Sequence, residues 1–189
     1  MKFAIIYGSV RTARQGIKAA KFIKNKFEEK GHQVTLIDPL EKKLPLLDLK
    51  YEEFPEGEAP ASMKEISKIL TDAEGFLIVT GEYNHDAPPA LKNMIDHFMR
   101  EYLYKPSGII SYSAGSFGGV RAATHLRDVL AELGMSSIPT TFPISKVQDS
   151  FDENGNAVDD AYNRRVEKFI KEFEWYAEAL KEARSKGTP

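Results

Sequence analysis

Residues 2–7 read Lys-Phe-Ala-Ile-Ile-Tyr, and residues 8–16 continue Gly-Ser-Val-Arg-Thr-Ala-Arg-Gln-Gly. The first run is apolar without helical periodicity, which is typical of a buried parallel strand. The second run is polar, and from Ile17 to Phe27 apolar residues recur at helical spacing. The stretch therefore predicts a strand, a polar loop and the N-terminus of a helix, in that order.

The predicted loop has the composition of an anion site. Free backbone N–H groups and the positive end of a helix dipole attract phosphate. Ser9 and Thr12 add hydroxyl donors, while Arg11 and Arg14 add positive charge. The loop lacks the glycine pattern of a dinucleotide site and the Gly-Lys-Ser/Thr of a P-loop. A phosphate monoester is the predicted ligand. The alternative interpretation is that the glycine and serine of the loop serve only the geometry of the turn.

Strands and helices alternate along the rest of the chain. Further strands are predicted at 33–38, 75–80, 107–113 and 135–144, and Pro139 and Pro143 mark the last as an edge strand. Further helices are predicted at 62–71, from about 90, at 120–133 and at 159–184. This alternation predicts an α/β fold: a doubly wound five-stranded parallel sheet of order 2-1-3-4-5, with helices on both faces and one domain over 1–189.

Three local features complete the predicted fold. Ser62 is the expected N-cap of its helix, with Glu65 as the capping-box partner. Residues 39–60 contain four prolines and little periodicity, so we expect a long surface excursion, of which the apolar residues 44–47 pack on the parent domain. Trp175 and the other aromatic residues of the last helix are expected in the core.

Composition excludes several classes of function. The chain has no cysteine, which excludes disulfides and iron–sulfur clusters, so redox chemistry would need a bound cofactor. A net charge of −2 with interspersed signs argues against a nucleic-acid partner. The N-terminal apolar run is too short for a signal peptide and no run approaches membrane-spanning length, so we expect a cytoplasmic protein. The four histidines show no metal-ligand spacing, and no metal site is expected.

The loop after the third strand also has unusual composition. Residues 82–85, Glu-Tyr-Asn-His, offer an aromatic face, amide groups and a titratable ring. A planar heterocycle needs a stacking surface and a few in-plane hydrogen bonds. The alternative interpretation is the start of a helix with Asp86 or His85 as its cap. In the predicted strand order, the loops after strands one, three and four converge on one rim of the sheet.

The loop after the fourth strand, residues 114–118, reads Ala-Gly-Ser-Phe-Gly and has the position of a degenerate nucleophile elbow. His125, the histidine that follows Ser116, would lie about 13 Å along the next helix at ~1.5 Å per residue. It cannot act as a base there, and His85 precedes the serine, against the order of that hydrolase fold. A glycine loop that lets a flat ligand approach the backbone is the better interpretation.

Three motifs together resemble the NADPH-dependent FMN reductases, over essentially the whole chain. The first is Gly-Ser-Val-Arg at 8–11. The second is Glu-Tyr-Asn-His at 82–85, followed by Pro88, Leu-Lys-Asn at 91–93 and Ile-Asp at 95–96. The third is Gly-Ser-Phe-Gly-Gly-Val-Arg-Ala at 115–122. The resemblance implies a flavodoxin-like fold, bound FMN, and NADPH or NADH as reductant.

The resemblance also implies the residues of the site. The FMN phosphate would be held by Ser9, Arg11, Gln15 and Gly16. The isoalloxazine would be flanked by Glu82, Tyr83, Asn84, His85, Ser113, Gly115, Ser116, Phe117, Gly118 and Gly119. Family members pass electrons to quinones, azo dyes, free flavin or metal oxyanions, so the expected partner is a small-molecule electron acceptor. They are usually homodimers or homotetramers.

Four residues depart from the family's usual pattern, namely Gly81, Asp86, Pro89 and His97. The alternative function is a flavodoxin-like electron carrier, or a flavin-binding module, without NAD(P)H activity of its own. Such carriers are usually strongly acidic, for docking to basic partners, and a net charge of −2 disfavours this alternative.

Overall fold

A computed structural model describes all residues, 1–189, as helices packed on both sides of one parallel sheet. The strands are β1 (Lys2–Tyr7), β2 (Gln33–Ile37), β3 (Phe76–Gly81), β4 (Pro106–Tyr112), β5 (Ser136–Ser137) and β6 (Phe142–Ile144). The helices are α1 (Gly16–Glu29), α2 (Ala61–Asp72), α3 (Pro89–Asp96), α4 (Val120–Glu132), α5 (Val147–Ser150) and α6 (Asp160–Ser185). The strand order β2-β1-β3-β4-β5 confirms the predicted topology.

The sheet divides the core into two apolar layers. One face of the strands packs with α1 and α6 in a cluster of 24 buried residues, and the other packs with α2, α3 and α4 in a cluster of 19. Every residue of β3 and β4 is buried. Central strands covered on both faces need apolar side chains throughout, which is why they lack alternation in the sequence.

The prediction of a continuous fifth strand at 135–144 is wrong. The segment forms two short strands, β5 and β6, which both pair in parallel with β4. Pro139 lies between them, and proline has no N–H to give to the ladder. The sheet therefore has six strands rather than five, and its edge is interrupted.

Side chains cover the backbone of this interrupted edge. Arg127 donates to the carbonyl oxygens of Ile138 (3.1 Å) and Pro139 (2.8 Å). Arg165 donates to the carbonyl of Pro143 (2.8 Å). Glu172 accepts the N–H of Thr140 (3.1 Å). Edge groups that a neighbouring strand would otherwise use are thus already hydrogen-bonded.

Two predictions about the surface between β2 and α2 need correction. Helix α2 begins at Ala61 after Pro60 and has no side-chain cap, so Ser62 is not its N-cap. Glu65 instead pairs with Lys42 at 2.6 Å. Of the apolar segment 44–47, only Leu44 packs against the core, and Leu46 is 85% exposed. Pro60 occupies the N-cap position of α2. Its fixed φ suits the start of a helix, but it has no hydroxyl to accept a hydrogen bond from the first turn.

Trp175 is also not in the core, because it is 65% exposed on α6. Its neighbours Phe173 and Ala177 are fully buried, so the indole falls on the outer side of the helix. A helix of 26 residues buries one stripe only, and an aromatic residue outside that stripe stays in solvent. No helix of the chain combines the length and the apolar character that a membrane span requires.

Tyr102 carries a buried hydroxyl without a hydrogen-bond partner. Its ring packs edge-on against Phe76 at 5.2 Å, and burial raises the pKa of the phenol well above its ordinary value. A buried polar group without a partner costs about 1–3 kcal/mol. We therefore expect Tyr102→Phe to raise the free energy of unfolding by about 1 kcal/mol, measured by urea denaturation followed by circular dichroism.

Tyr162 is the matched control for this prediction. Its buried hydroxyl accepts from Ser150 Oγ at 3.1 Å and donates to the carbonyl of Ser145 at 3.3 Å. Tyr162→Phe should destabilise the fold, since it removes bonds that are made. A loss of stability in Tyr102→Phe would show that its hydroxyl has a partner.

Candidate functional site

A cavity of about 350 Å³ lies at the carboxyl ends of β1, β3 and β4. The parallel register sets Tyr7 beside Val79 and Gly81 beside Tyr112, so the loops that follow these strands start side by side. The volume is in the range of small-molecule sites. The lining residues are Ser9, Arg11, Ala13, Arg14, Gln15, Gly81, Glu82, Tyr83, Tyr112, Ser113, Ala114, Val147 and Gln148.

Six of the fourteen site residues expected from the sequence line this cavity. They are Ser9, Arg11, Gln15, Glu82, Tyr83 and Ser113. Gly16 is not among the lining residues, but it adjoins them, since a Cβ placed on it would be 2.0 Å from Cζ of Tyr112. The remaining seven, Asn84, His85, Gly115, Ser116, Phe117, Gly118 and Gly119, do not line it.

The first loop is anchored through Arg14. Its guanidinium donates twice to Asp38, at 2.5 and 2.6 Å, and once to the carbonyl of Ser9, at 3.2 Å. It also lies 5.3 Å from the centre of the Tyr7 ring. The hydrogen bond with Asp38 raises the pKa of Arg14 above the ordinary value for arginine. Because Asp38 compensates this charge, the expectation that Arg14 offers free charge to an anion is not met.

Arg11 is the uncompensated charge of the cavity wall. Its side chain is exposed and takes part in no ion pair, and its backbone N–H donates to Ser9 Oγ at 3.4 Å. The other charged lining residues are paired, Arg14 with Asp38 and Glu82 with Arg121. The first turn of α1, after Gln15, has no side-chain cap. A free cation beside an uncapped helix N-terminus favours an anionic group.

The loop after β3 begins with a tight turn. Tyr83 and Asp86 exchange backbone hydrogen bonds of 2.8 and 3.0 Å, and the central Asn84 and His85 have φ of 50° and 70°. Positive φ at both central positions is the geometry of a two-residue hairpin turn. Neither Asp86 nor His85 caps α3, which begins after Pro88, so the helix-cap alternative is wrong. The turn presents Tyr83 to the cavity and exposes Asn84 and His85.

Glu82 connects this turn to α4. Its carboxylate accepts the backbone N–H of Arg121 at 3.1 Å and that of Ala122 at 3.5 Å, and it pairs with the Arg121 guanidinium at 3.2 Å. A carboxylate at a helix N-terminus compensates the dipole and the free N–H groups. Glu82 therefore holds the loop after β4 against the loop after β3. The sequence analysis did not predict this role.

The glycine loop is held by hydroxyl groups of β4 and its end. Ser113 Oγ accepts the N–H of Gly118 and donates to the carbonyl of Gly115, both at 3.0 Å. Ser111 Oγ donates to the carbonyl of Gly118 at 2.7 Å. Gly119 has φ of 75° and lies against the backbone of Tyr112. These hydrogen bonds and the close approach to β4 hold the loop in a fixed shape beside the cavity.

Ser116 and Phe117 lie on the outer side of this loop. Phe117 is 66% exposed, and the Arg121 guanidinium lies 4.7 Å from the centre of its ring. Ser116 is exposed and makes no hydrogen bond with a histidine, and His125 faces Asp86 instead at 3.8 Å. The hydrolase alternative therefore has no base. The histidines and acidic residues form no group that could hold a metal ion.

Sequence reasoning missed several lining residues. Tyr112 and Gly81 end their strands, and that position was a usable signal because ligands bind at the carboxyl ends of parallel strands. Asp38, 3% exposed just after β2, does not line the cavity but holds Arg14, which does. Val147 and Gln148 lie on α5, whose position depends on the interrupted fifth strand and could not be read from local pattern.

A family model for NADPH-dependent FMN reductases matches residues 1–149. The chain belongs to the NADPH-dependent FMN reductase family. Membership makes the protein an oxidoreductase, and the matched part contains the whole of the cavity wall. Helix α6 lies beyond it.

Relatives of this FMN reductase family member extend over most of the chain. The 2-hydroxy-1,4-benzoquinone reductase of a Burkholderia species is 26% identical over 185 residues, 92% of this chain and 94% of its own. An NAD(P)H-dependent FMN reductase of Saccharomyces cerevisiae is 31% identical over 150 residues, 73% of this chain and 78% of its own. The flavoenzyme FerB of Paracoccus denitrificans has a TM-score of 0.78 at 22% identity, covering 95% of this chain and 98% of its own, and supports the flavodoxin-like fold.

Proposed function

We propose that this oxidoreductase binds FMN in the cavity and uses NAD(P)H to reduce a small-molecule acceptor. The observation that carries the proposal is the chemistry of the wall. Its one uncompensated charge, Arg11, lies beside hydroxyl donors and the uncapped N-terminus of α1. Such a set fits the phosphate of a flavin mononucleotide, since phosphates bind where donors and positive charge converge.

Each part of the wall has a proposed task. Ser9, Arg11, Gln15 and the backbone of Gly16 would hold the phosphate. Residues 82–85 and the loop 113–119 would flank the isoalloxazine, Tyr83 and Ser113 from the cavity wall, and Asn84, His85 and Phe117 from its exposed rim. When bound, FMN would supply the hydride and electron chemistry, which no side chain here provides. The protein would bind, orient and shield.

The proposed acceptor is a quinone or an azo compound. The relative from Burkholderia, which covers nearly the whole chain, is named for a benzoquinone, and a Bacillus relative covering 97% of the chain is named NADPH azoreductase. Reductant and acceptor would each exchange electrons with the same bound flavin, so they would occupy the site in turn. We therefore expect parallel double-reciprocal plots, and intersecting plots would contradict this order.

The function is tested by the visible spectrum of the purified protein after incubation with FMN and desalting, followed by anaerobic addition of NADPH. The expected result is a retained flavin band that bleaches. A retained band that persists would favour the electron carrier or binding module. Absence of a retained band would overturn the assignment of FMN to this cavity.

Arg11 should dominate the charge attraction for the phosphate. We expect Arg11→Ala to weaken FMN binding by about 1.5–3 kcal/mol, the usual worth of a hydrogen bond to a charged group. Riboflavin, which has no phosphate, should bind equally to both proteins. Quenching of flavin fluorescence measures both affinities. Arg164, which is exposed on α6 and paired with Asp160, is the control, and its replacement by alanine should leave FMN affinity unchanged. Unchanged FMN affinity in Arg11→Ala would show that the phosphate lies elsewhere.

We further propose that residues 1–189 act as one reductase domain and that copies associate as a homodimer or homotetramer. Support for association is the set of exposed leucines between β2 and α2. Leu46 is 85% exposed, Leu49 42% and Leu47 39%. Asn93 of α3 fixes this segment by accepting the N–H of Leu47 and donating to the carbonyl of Pro45.

A further inference from the structure

Four hydroxyl groups lie at or beside the cavity: those of Ser9, Tyr83 and Tyr112 belong to lining residues, and that of the buried Tyr7 lies beside Tyr112. Ser9 Oγ lies 3.3 Å from the hydroxyl of Tyr83, and the hydroxyl of Tyr112 lies 3.4 Å from that of Tyr7. Ordinary O–H···O bonds are about 2.7–2.8 Å long. The four groups therefore lie close together while bonding one another only weakly, so their protons remain available to a better acceptor.

Two glycines place the ring of Tyr112 at the N-terminus of α1. A Cβ on Gly16 would be 2.4 Å from the Tyr112 hydroxyl, and a Cβ on Gly81 would be 3.1 Å from the same ring. No other residue type at position 16 leaves room for this ring. The hydroxyl thus lies beside the first residue of the helix, although Tyr112 belongs to β4 on the other side of β3.

Both inner phenols stay protonated, and so remain donors. Burial raises the pKa of Tyr112 and of Tyr7 above the ordinary value for tyrosine. No free carboxylate competes as acceptor, because Asp38 is paired with Arg14 and Glu82 with Arg121. Tyr83 and Tyr112 both line the cavity. What this cluster lacks is an acceptor, and an oxyanion is the strongest acceptor for several donors at once.

We propose that the hydroxyls of Tyr112 and Tyr83 are additional ligands of the phosphate at the N-terminus of α1. The anion is then held from three strands: by the loop after β1, by Tyr83 after β3 and by Tyr112 at the end of β4. This rests on the proposed function, adds Tyr112 to the ligands of the phosphate, and moves Tyr83 from the isoalloxazine to the phosphate. These donors make the site selective for FMN over riboflavin.

The test compares Tyr112→Phe, Tyr83→Phe and the unchanged protein for their affinities toward FMN and riboflavin, by quenching of flavin fluorescence. Each variant should bind FMN about tenfold more weakly, as expected for one hydrogen bond to a charged group. Riboflavin affinity should change less than about twofold, since riboflavin has no phosphate for the removed hydroxyl to bind. The phosphorus-31 chemical shift of bound FMN should move in both variants. Tyr104→Phe is the control, because the hydroxyl of Tyr104 contacts the carbonyl of Pro189, outside the cavity.

The outcomes separate this inference from the function on which it rests. Tight FMN binding by both variants, with an unmoved phosphorus signal, would overturn the inference alone. Equal weakening of FMN and riboflavin would also overturn it, since that result indicates a distorted cavity. If the unchanged protein binds neither flavin, the proposed function fails and the inference with it. Tyr83 is only partly buried, so its variant remains informative if Tyr112→Phe folds poorly.

Discussion

Replacing Gly119 with alanine is expected to lower the free energy of unfolding by about 4 kcal/mol. The residue has φ of 75°, a left-handed conformation that costs an L-residue about 1–2 kcal/mol. A Cβ would also lie 2.7 Å from the carbonyl oxygen of Tyr112 and 2.9 Å from its backbone nitrogen. These atoms belong to the last residue of a buried central strand, so they cannot shift without disturbing the sheet. Urea denaturation followed by circular dichroism measures the loss.

Gly115 in the same loop is the matched control. A Cβ on it meets nothing within 4 Å, and its φ lies outside the left-handed region. Gly115→Ala should therefore change stability by no more than about 0.5 kcal/mol. Equal effects of the two substitutions would show that loop entropy, rather than the close approach to β4, sets the requirement for glycine. Gly119→Ala should also retain less flavin, because the loop would no longer lie against Tyr112.

Replacing Asp38 with asparagine is expected to destabilise the protein by about 3 kcal/mol, as when one partner of a buried ion pair is removed. The Asp38 side chain is 4% exposed and that of Arg14 is 16% exposed. Asparagine keeps the shape but sets an amide N–H group against a guanidinium N–H group, so two donors face each other. The carbonyl of Ser9 would also lose a firmly held donor. Thermal and urea unfolding measure the change in stability.

Glu182 is the control for the loss of one negative charge from an ion pair that is exposed to solvent. It pairs with Lys186, and both side chains are about 70% exposed. Glu182→Gln should alter stability by less than about 0.5 kcal/mol, the usual worth of an exposed pair. A loss below 1 kcal/mol in Asp38→Asn would mean that water replaces the lost contact, and the anchoring of the first loop would need another explanation.

The fold could be predicted because its strongest signals are local. The run at 3–7 is apolar on both faces of its strand, the pattern typical of a parallel sheet covered on both sides. Gly31 and Gly134, with φ of 84° and 76°, end α1 and α4 where a C-terminal glycine is expected. The broken strand at 135–144 could not be predicted, because its pairing with β4 on both sides of Pro139 is a tertiary property.

The site was predicted at the level of loops and less well at the level of side chains. Ser9 and Arg11, which the sequence predicts at a phosphate, both line the cavity, because a serine and an arginine in a strand-to-helix loop are informative by themselves. Arg14 also lines the cavity, but its pairing with Asp38, 24 residues away in the sequence, could not be predicted. In the sequence, Tyr112 looks like any other apolar residue of a buried strand. The position of its ring depends on the absence of a Cβ at Gly16 and Gly81, which are distant in the sequence.

The covered edge beyond β4 limits how this protein can associate. Three carbonyl groups and one N–H of that edge are already occupied by Arg127, Arg165 and Glu172. An extended peptide, or the sheet of another copy, would find no open ladder there. Contacts on this side of the molecule would therefore form through helices and loops, and partly unfolded chains gain no template for amyloid-like growth from this edge.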